Sequence, residues 1–278
     1  MLKPLPLVLI AAIAVAPACA PSRPLAQSQP QASSSAETAA PLDYGSYATL
    51  LQTYVDPSGL VDYTALQTSR DALDAFVAEL GAVSAAAYDG WSDDDKIAFL
   101  INAYNAITLQ SIVDQQPLKS SIRDILGVWK LKQHQVLGQG LTLDAIEHDI
   151  LRQDFAEPRI HAALVCAAIS CPPLRQEPFT GDRLDQQLDD QTQRWLNSPH
   201  GVAVDRGENQ VAISSIFDWF GEDWQAAYTA PDQFTGSPKE RAALNFISIY
   251  LSPADRDYLA RGDYTLSYLT YNWALNQQ

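Results

Sequence analysis

The clearest structural signal in the sequence lies at residues 92–114, which read SDDDKIAFLINAYNAITLQSIVD. Its apolar side chains recur at the three- and four-residue spacing of a helix that faces a core. Ser92 can cap this helix, and the aspartates that follow lie in the first turn, where the helix dipole favours negative charge. The stretch therefore predicts a long helix from about Asp93 to Asp114. The predicted core stripe consists of Ile97, Leu100, Ile101, Tyr104, Ile107 and Ile112.

Two asparagines interrupt the apolar pattern of this helix. Asn102 and Asn105 lie three residues apart, and asparagine is a poor helix former that needs hydrogen-bond partners once it is buried. They are therefore either residues of a binding site or structural brackets. In the first case, we expect the binding residues to be Asn102, Asn105, Tyr104 and Arg175.

The rest of the domain is predicted to be helix-rich. The expected helices cover residues 44–55, 71–87, 142–152, 182–196 and 237–251. The expected strands are a hairpin at 202–214 and a closing strand at 264–268, and 159–169 indicates a buried strand or an extended segment. Because helices dominate and do not alternate regularly with strands, we predict an α+β fold, a helix-rich single domain with a few short antiparallel strands.

The beginning of the chain is typical of a secretory leader. A single lysine precedes an apolar run of about 14 residues, which is shorter than the roughly 20 that a membrane-spanning helix needs. Cleavage after Ala18 leaves Cys19 as a lipidated first residue, whereas cleavage after Ala20 leaves a proline beyond the cut, which favours the first site. We therefore expect a lipoprotein-type signal peptide at 1–18 and a periplasmic protein that is anchored to the membrane.

Composition divides the remainder of the chain into two parts. Residues 19–41 are mostly Pro, Ala, Ser and Gln, a composition that cannot bury enough apolar surface to offset the entropy of ordering. We expect a disordered tether there and one globular domain at 42–278. The formal net charge of −15 makes nucleic acid and anionic lipid unexpected partners, so the expected membrane contact is through the N-terminal lipid alone.

Five short pieces of the chain carry a family resemblance. They are GLVDY at 59–63, FLINAYNA at 99–106, IEH at 146–148, HAALVC at 161–166 with SCPPLR at 170–175, and YNW at 271–273. In this order and at these distances they resemble an exported member of the bacterial domain of unknown function 547 family. The resemblance covers roughly Tyr44 to Asn276. It implies no activity, since the family is named for the lack of one.

Four polar residues at otherwise apolar positions are candidate catalytic groups, namely Cys166, His161, His148 and Glu147. A thiolate at Cys166 could attack a carbonyl while a histidine accepts the thiol proton. His161 and Cys166 are five residues apart, so they would lie on opposite faces of a strand or about 140° apart around a helix. His148 is therefore the better candidate base unless the chain bends between His161 and Cys166.

A disulfide between Cys166 and Cys171 is the competing expectation. These two cysteines are the ones that remain once Cys19 is lipidated or removed. An exported protein meets an oxidising compartment, and a bridge that closes so short a loop would stabilise the fold by about 2 kcal/mol. A permanent bridge excludes Cys166 as a nucleophile.

The segment FDWFGEDW at 217–224 mixes aromatic rings with carboxylates. It could stack on a sugar or a peptide, or its rings could belong to the core while its acids are solvated. No compact Cys-x-x-Cys or His-x-x-x-His spacing is present, so neither a metal nor a cofactor is expected.

Two functions follow from these residues. The first is a non-catalytic envelope module that binds a peptide, glycan or partner protein in a pocket bordered by Asn102, His161 and the segment 217–224. The alternative is a thiol-dependent hydrolase or acyltransferase that uses Cys166 with His148 or His161.

Overall fold

The computed structural model describes residues 42–229 and 233–278 of the chain. The predicted signal peptide, the lipidation residue Cys19 and the predicted tether lie outside these residues. Within the described ranges, no helix combines the length and the apolar character that crossing a membrane requires.

Helices make up most of the described domain. The first five are α1 (Gly45–Tyr54), α2 (Tyr63–Thr68), α3 (Asp71–Ala82), α4 (Ala85–Asp89) and α5 (Asp93–Val113). The next three are α6 (Arg152–Asp154), α7 (Ile160–Ala163) and α8 (Leu184–Leu196). The last four are α9 (Ile216–Trp219), α10 (Glu222–Tyr228), α11 (Pro238–Tyr250) and α12 (Pro253–Arg261). Short 3₁₀ turns occur at Ile122–Asp124 and Gly181–Arg183, and a π-helix at Ala145–Leu151 runs directly into α6.

Short strands form two small sheets. One sheet pairs β1 (His134–Val136) with β2 (Gln139–Leu141), and the other has the order β3 (Val202–Asp205), β4 (Gln210–Ile213) and β5 (Thr265–Tyr268). The predicted hairpin is the antiparallel pair β3 and β4. Strand β5 pairs parallel to β4, which differs from the antiparallel expectation because four helices form the crossover between the two strands. The prediction of a helix-rich α+β domain is confirmed.

Helix α5 lies inside the larger of two hydrophobic cores. Ser92 Oγ accepts a hydrogen bond from the backbone N–H of Asp95 at 3.1 Å, as expected of the N-cap. Every residue of the predicted stripe is buried, and so are most residues on the other faces of the helix. Other elements therefore surround α5 on nearly all sides.

The second core lies beneath the three-stranded sheet. Its largest fully buried side chains are Trp195, Phe217, Trp224 and Phe246. Helix α11 begins with the predicted capping box, in which Ser237 and Glu240 each accept a hydrogen bond from the backbone N–H of the other.

Two segments differ from the sequence prediction. Residues 71–87 form two helices, because Ser84 Oγ accepts a hydrogen bond from Ala87 N at 3.1 Å and starts α4. Residues 159–169 are predicted as a strand or an extended segment, but their first half is α7 and only the second half is non-helical. Periodicity alone does not separate a short buried helix from a short buried strand.

The two asparagines of α5 act as brackets for distant backbone. Asn102 Nδ2 donates to Phe179 O at 2.8 Å, and Asn102 Oδ1 accepts from Phe179 N at 2.9 Å. Asn105 makes the same pair of bonds with Ala163 O at 3.0 Å and Val165 N at 2.9 Å. The second bracket fixes the segment that leads to Cys166 against the central helix.

Candidate functional site

A pocket of about 250 Å³ combines aromatic rings with titratable groups. We call it the aromatic pocket. Its rings belong to Tyr104, Trp129, Trp219, Phe220, Tyr271 and Trp273. Its other lining residues are Lys130, Asp144, Glu147, His148, His161, Leu164, Cys166, Cys171 and Ile216. Such a mixture of rings and a few polar groups is the usual make-up of a ligand site.

Elements that are far apart in sequence supply these side chains. The π-helix carries Glu147 and His148, and α7 carries His161. Trp219 is the last residue of α9, and Tyr271 follows strand β5 near the end of the chain. π-Helical turns occur often at functional sites, and this one presents two titratable groups to one pocket.

Four rings form one wall of the aromatic pocket. The Tyr271 ring centroid lies 4.7 Å from that of Trp219 and 4.6 Å from that of Trp273. Trp129 meets Trp273 at an interplanar angle of 74° and a centroid distance of 6.2 Å. Trp219 is 45% exposed. Trp219 and Trp273 are nearly parallel, with an interplanar angle of 19°. The wall is therefore a stacked pair of tryptophans, with Trp129 and Tyr271 set at steep angles to it.

A disulfide joins Cys166 to Cys171 in the pocket wall, which confirms the predicted bridge. The Tyr271 hydroxyl lies 3.3 Å from Cys166 Sγ and 3.2 Å from Cys171 Sγ. Ala167, inside the closed loop, has a φ of 58°, a conformation that non-glycine residues seldom adopt. With the bridge formed, Cys166 has no free thiol.

The C-terminal segment holds the disulfide loop in place. Ile169 N donates to Ala274 O at 2.8 Å, and Asn276 N donates to Ala167 O at 3.1 Å. The Tyr63 hydroxyl donates to Asn276 Oδ1 at 2.8 Å. The sequence pieces at 59–63, 161–175 and 271–273 are therefore parts of one structural unit.

Asp223 on α10 accepts hydrogen bonds from two basic side chains, those of His161 and Arg152. His161 Nε2 donates to Asp223 Oδ2 at 2.7 Å, while Arg152 Nε donates to Oδ2 at 2.6 Å and Arg152 Nη2 donates to Oδ1 at 2.8 Å. Burial raises the pKa of Asp223, but the hydrogen bonds from Arg152 and His161 outweigh it and leave that pKa below its ordinary value. Burial lowers the pKa of His161, so the ring is neutral at pH 7 with its proton on Nε2.

His148 is linked to the same group through Arg152. Arg152 Nη1 lies 3.1 Å from His148 Nδ1, and because arginine has no acceptor, Nδ1 must accept this bond. His148 Nε2 lies 3.6 Å from Asp144 Oδ1. Burial lowers the pKa of His148, so this ring is also neutral at pH 7.

Glu147 is the buried carboxyl of the aromatic pocket. Its side chain is 12% exposed, and its Oε1 lies 4.0 Å from His148 Nδ1. Among the described residues, no Lys or Arg nitrogen lies within 4.0 Å of its carboxylate. Burial raises the pKa of Glu147 to about 7, although the Tyr104 hydroxyl forms a hydrogen bond with it that lowers the pKa.

The structure separates the predicted site residues into two sets. Those that line the aromatic pocket are Tyr104, Glu147, His148, His161, Cys166 and Cys171. Asn102, Asn105 and Arg175 do not line it. Arg175 instead forms an ion pair with Glu177 at 2.6 Å. The exception allowed for His161 and Cys166 applies, because the chain changes from helix to non-helical backbone between them.

Several lining residues escape prediction from sequence. Trp129 and Lys130 stand in a stretch without periodicity or a recognisable motif, so nothing local indicates their role. The mixture of aromatic and acidic residues at 217–224 did indicate a possible binding segment. In the structure, some of its rings belong to the core and others line the aromatic pocket. Phe217 and Trp224 are core residues, whereas Trp219 lines the aromatic pocket.

The fold and the site define a helix-rich α+β domain with an aromatic pocket and a disulfide in the pocket wall. Residues 88–196 match the family model described as "Protein of unknown function, DUF547", which supports assignment to that family. The match includes α5, Glu147 and both disulfide cysteines, and it ends before Trp219. No curated protein and no solved structure matches the chain. No group of three or more His, Cys, Asp or Glu side chains in the described ranges is arranged to hold a metal ion.

Proposed function

We propose that this chain is a non-catalytic envelope module that binds a peptide, glycan or partner protein in its aromatic pocket. The observation that carries the proposal is the pocket itself, in which a wall of aromatic rings surrounds a few polar groups. The Cys166–Cys171 disulfide supports a binding role, because it withdraws the one thiol that the candidate catalytic set contains.

The proposed location is the periplasm, with a lipid on Cys19 as the anchor. The leader-like sequence at 1–18 supports export. The disulfide supports it as well, because stable disulfides form in oxidising compartments and are rare in the cytosol.

Replacing Trp219 with alanine is expected to weaken ligand binding about tenfold, since exposed aromatic side chains commonly dominate binding energy. The ring is 45% exposed, so its removal should cost little stability. The test is calorimetric titration of the whole chain with muropeptides, which offer both glycan and peptide. The matched control is Ile249→Ala, which removes an exposed apolar side chain of α11 outside the pocket. Equal affinities of the two variants would count against the aromatic pocket as the site.

A thiol-dependent hydrolase or acyltransferase is the second candidate. The observation that favours it is the bond from His161 Nε2 to Asp223, which orients the ring and leaves a lone pair on Nδ1. Cys166 lines the same pocket. A cellular dithiol would have to reduce the bridge first, and Cys166 would then give its proton to His161 Nδ1, or to His148 once Arg152 releases the lone pair of its Nδ1. The thiolate would attack a carbonyl of an amide or ester, the carbonyl carbon would release its amine or alcohol with that proton, and water or an acceptor nucleophile would free the thiol from the acyl-enzyme.

Alkylation of the unreduced mature protein distinguishes the two candidates. We expect iodoacetamide at pH 7 to leave Cys166 and Cys171 unmodified, because both sulfurs are bonded to each other. Mass spectrometry should show the linked peptide, and lipid on Cys19. The control is the same protein after reduction, in which both cysteines should be labelled. Fast labelling of Cys166 without a reductant would favour the enzyme and contradict the module.

A further inference from the structure

The cations near Glu147, Lys130 and Arg152, each form an ion pair with another carboxylate. Lys130 Nζ lies 3.9 Å from Asp144 Oδ1. Arg152 donates to both carboxylate oxygens of Asp223. Each pair is neutral as a unit. The charge of an ionised Glu147 is therefore the uncompensated charge of the aromatic pocket.

Few other groups near Glu147 could stabilise its ionised carboxylate. The Tyr104 hydroxyl forms a hydrogen bond with the carboxylate, and His148, the basic group 4.0 Å away, is neutral at pH 7. Arg152 attracts the charge of Glu147 from a distance, but burial outweighs this attraction, so an ionised carboxylate that is 12% exposed is unfavourable in the free protein. A ligand that brings a positive charge would relieve this cost.

The aromatic wall offers a cation a second favourable contact. Aromatic rings carry negative potential on their faces, and groups of rings set at steep angles bind ammonium ions. Trp129 and Trp273 meet at 74°, and Trp219 and Tyr271 extend the same wall. The Arg123 guanidinium already lies 5.2 Å from the Trp273 ring centroid. A ring of this wall thus engages a cation within the protein itself.

Building on the proposed function, we infer that the ligand of the aromatic pocket carries an ammonium group, which lies against the rings of Trp129 and Trp273 and pairs with the Glu147 carboxylate. The ammonium can belong to a small quaternary amine or to a lysine side chain of a peptide. The net charge of −15 also favours the approach of a cation over that of an anion. A neutral sugar could stack on the same rings, but its binding would not depend on the charge of Glu147.

The test compares a cation with a neutral molecule of the same shape. Choline and 3,3-dimethylbutan-1-ol differ in having nitrogen or carbon at the branched centre. Calorimetric titration of the whole chain at pH 8 should show at least about tenfold tighter binding of choline. Nα-acetyl-lysine methylamide, titrated in parallel, distinguishes a peptide source from a small amine, and cellobiose represents a neutral glycan.

The decisive variant is Glu147→Gln, which keeps the size of the side chain and removes its charge. It should reduce the affinity for choline about tenfold and leave the affinity for the neutral alcohol unchanged. The matched control, Glu79→Gln, removes the same charge from an exposed position of α3 and should change neither affinity.

Lowering the pH below 7 should weaken choline binding in the native protein, because Glu147 becomes protonated. The titratable and charged groups that face Glu147 are Tyr104, Asp144, His148, Arg152, Asp223 and Tyr271. Protonation of His148 or His161 would also repel a cation, but burial lowers the pKa of both rings. The pH dependence around 7 should therefore disappear in Glu147→Gln.

Each other outcome overturns the inference in a distinguishable way. The ammonium group is refuted if neither choline nor Nα-acetyl-lysine methylamide binds more tightly than the alcohol, or if Glu147→Gln binds these amines as tightly as the native protein does. The proposed binding function then remains intact. Tighter binding of cellobiose than of either amine assigns the pocket to a neutral glycan. No heat with any probe refutes the inference, and the muropeptide titration then decides the proposed function.

Discussion

Replacing Asp223 with alanine is expected to lower the free energy of unfolding by roughly 2–4 kcal/mol at pH 7. The Asp223 side chain is 22% exposed and accepts hydrogen bonds from both Arg152 and His161. His161 is 2% exposed, so its Nε2 donor would lose its partner without gaining water. Arg152 is 24% exposed, and its partial hydration keeps the loss below that of a fully buried pair. Urea denaturation measures the change.

Two variants control this experiment. Asp223→Asn keeps an acceptor and should lose less stability than Asp223→Ala. Asp218→Ala breaks the half-exposed ion pair between Asp218 on α9 and Lys239 on α11. This variant should change stability by less than about 1 kcal/mol. The deficit of Asp223→Ala should shrink as the pH falls below 3.8, because Asp223 has a lowered pKa and its contribution is lost on protonation. A loss no larger than that of Asp218→Ala would contradict the structural role of Asp223.

Replacing Glu147 with glutamine is expected to stabilise the protein by roughly 2–3 kcal/mol at pH 8 and to change little at pH 4.5. Burial raises the pKa of Glu147 from 4.5 to about 7. Between these values the folded state binds the proton more tightly than the unfolded state does. The stability associated with the neutral carboxyl is therefore complete below pH 4.5 and is lost as the pH rises through 7. Glutamine, which is neutral at every pH, avoids that loss.

Urea denaturation at several pH values between 4.5 and 8 measures this effect. The difference between the variant and the native protein should grow with pH and level off above 7. Glu79→Gln, on the exposed surface of α3, should show no such growth. A constant difference across the range would show that ionised Glu147 is not costly in the folded protein. A native residue that destabilises its own fold is typical of a functional site.

Much of the candidate site could be predicted from sequence, because polar residues within apolar segments are visible without a structure. Glu147, His148, His161 and Cys166 stand out in this way, and all four line the aromatic pocket. The same criterion also selects Asn102, which instead brackets the backbone of Phe179. A buried polar group has to be satisfied in either case, so the sequence pattern does not distinguish a site residue from a structural one.

The partners of these residues could not be predicted. Asp223 is 62 positions from His161 and lies in a segment whose acids are equally well explained as solvated. Trp129 belongs to no pattern at all. Such residues become neighbours when whole helices and loops pack together. Contacts between residues so far apart in sequence produce no periodic pattern of apolar or polar residues.

The long helix at residues 92–114 could be predicted from local sequence alone. Its cap, its acidic first turn and its apolar spacing are local properties, and they predict α5 to within a residue of its observed end. The capping box at Ser237 and the hairpin at 202–214 were predictable for the same reason. Sequence patterns did not reveal that α5 is buried on almost every face or that Cys166 is bonded to Cys171. Nor did they reveal that, among the described residues, Glu147 lies in an aromatic pocket with no Lys or Arg nitrogen within 4.0 Å of its carboxylate. Those outcomes depend on contacts between distant segments, whose energies are set by burial and charge and not by the order of neighbouring residues.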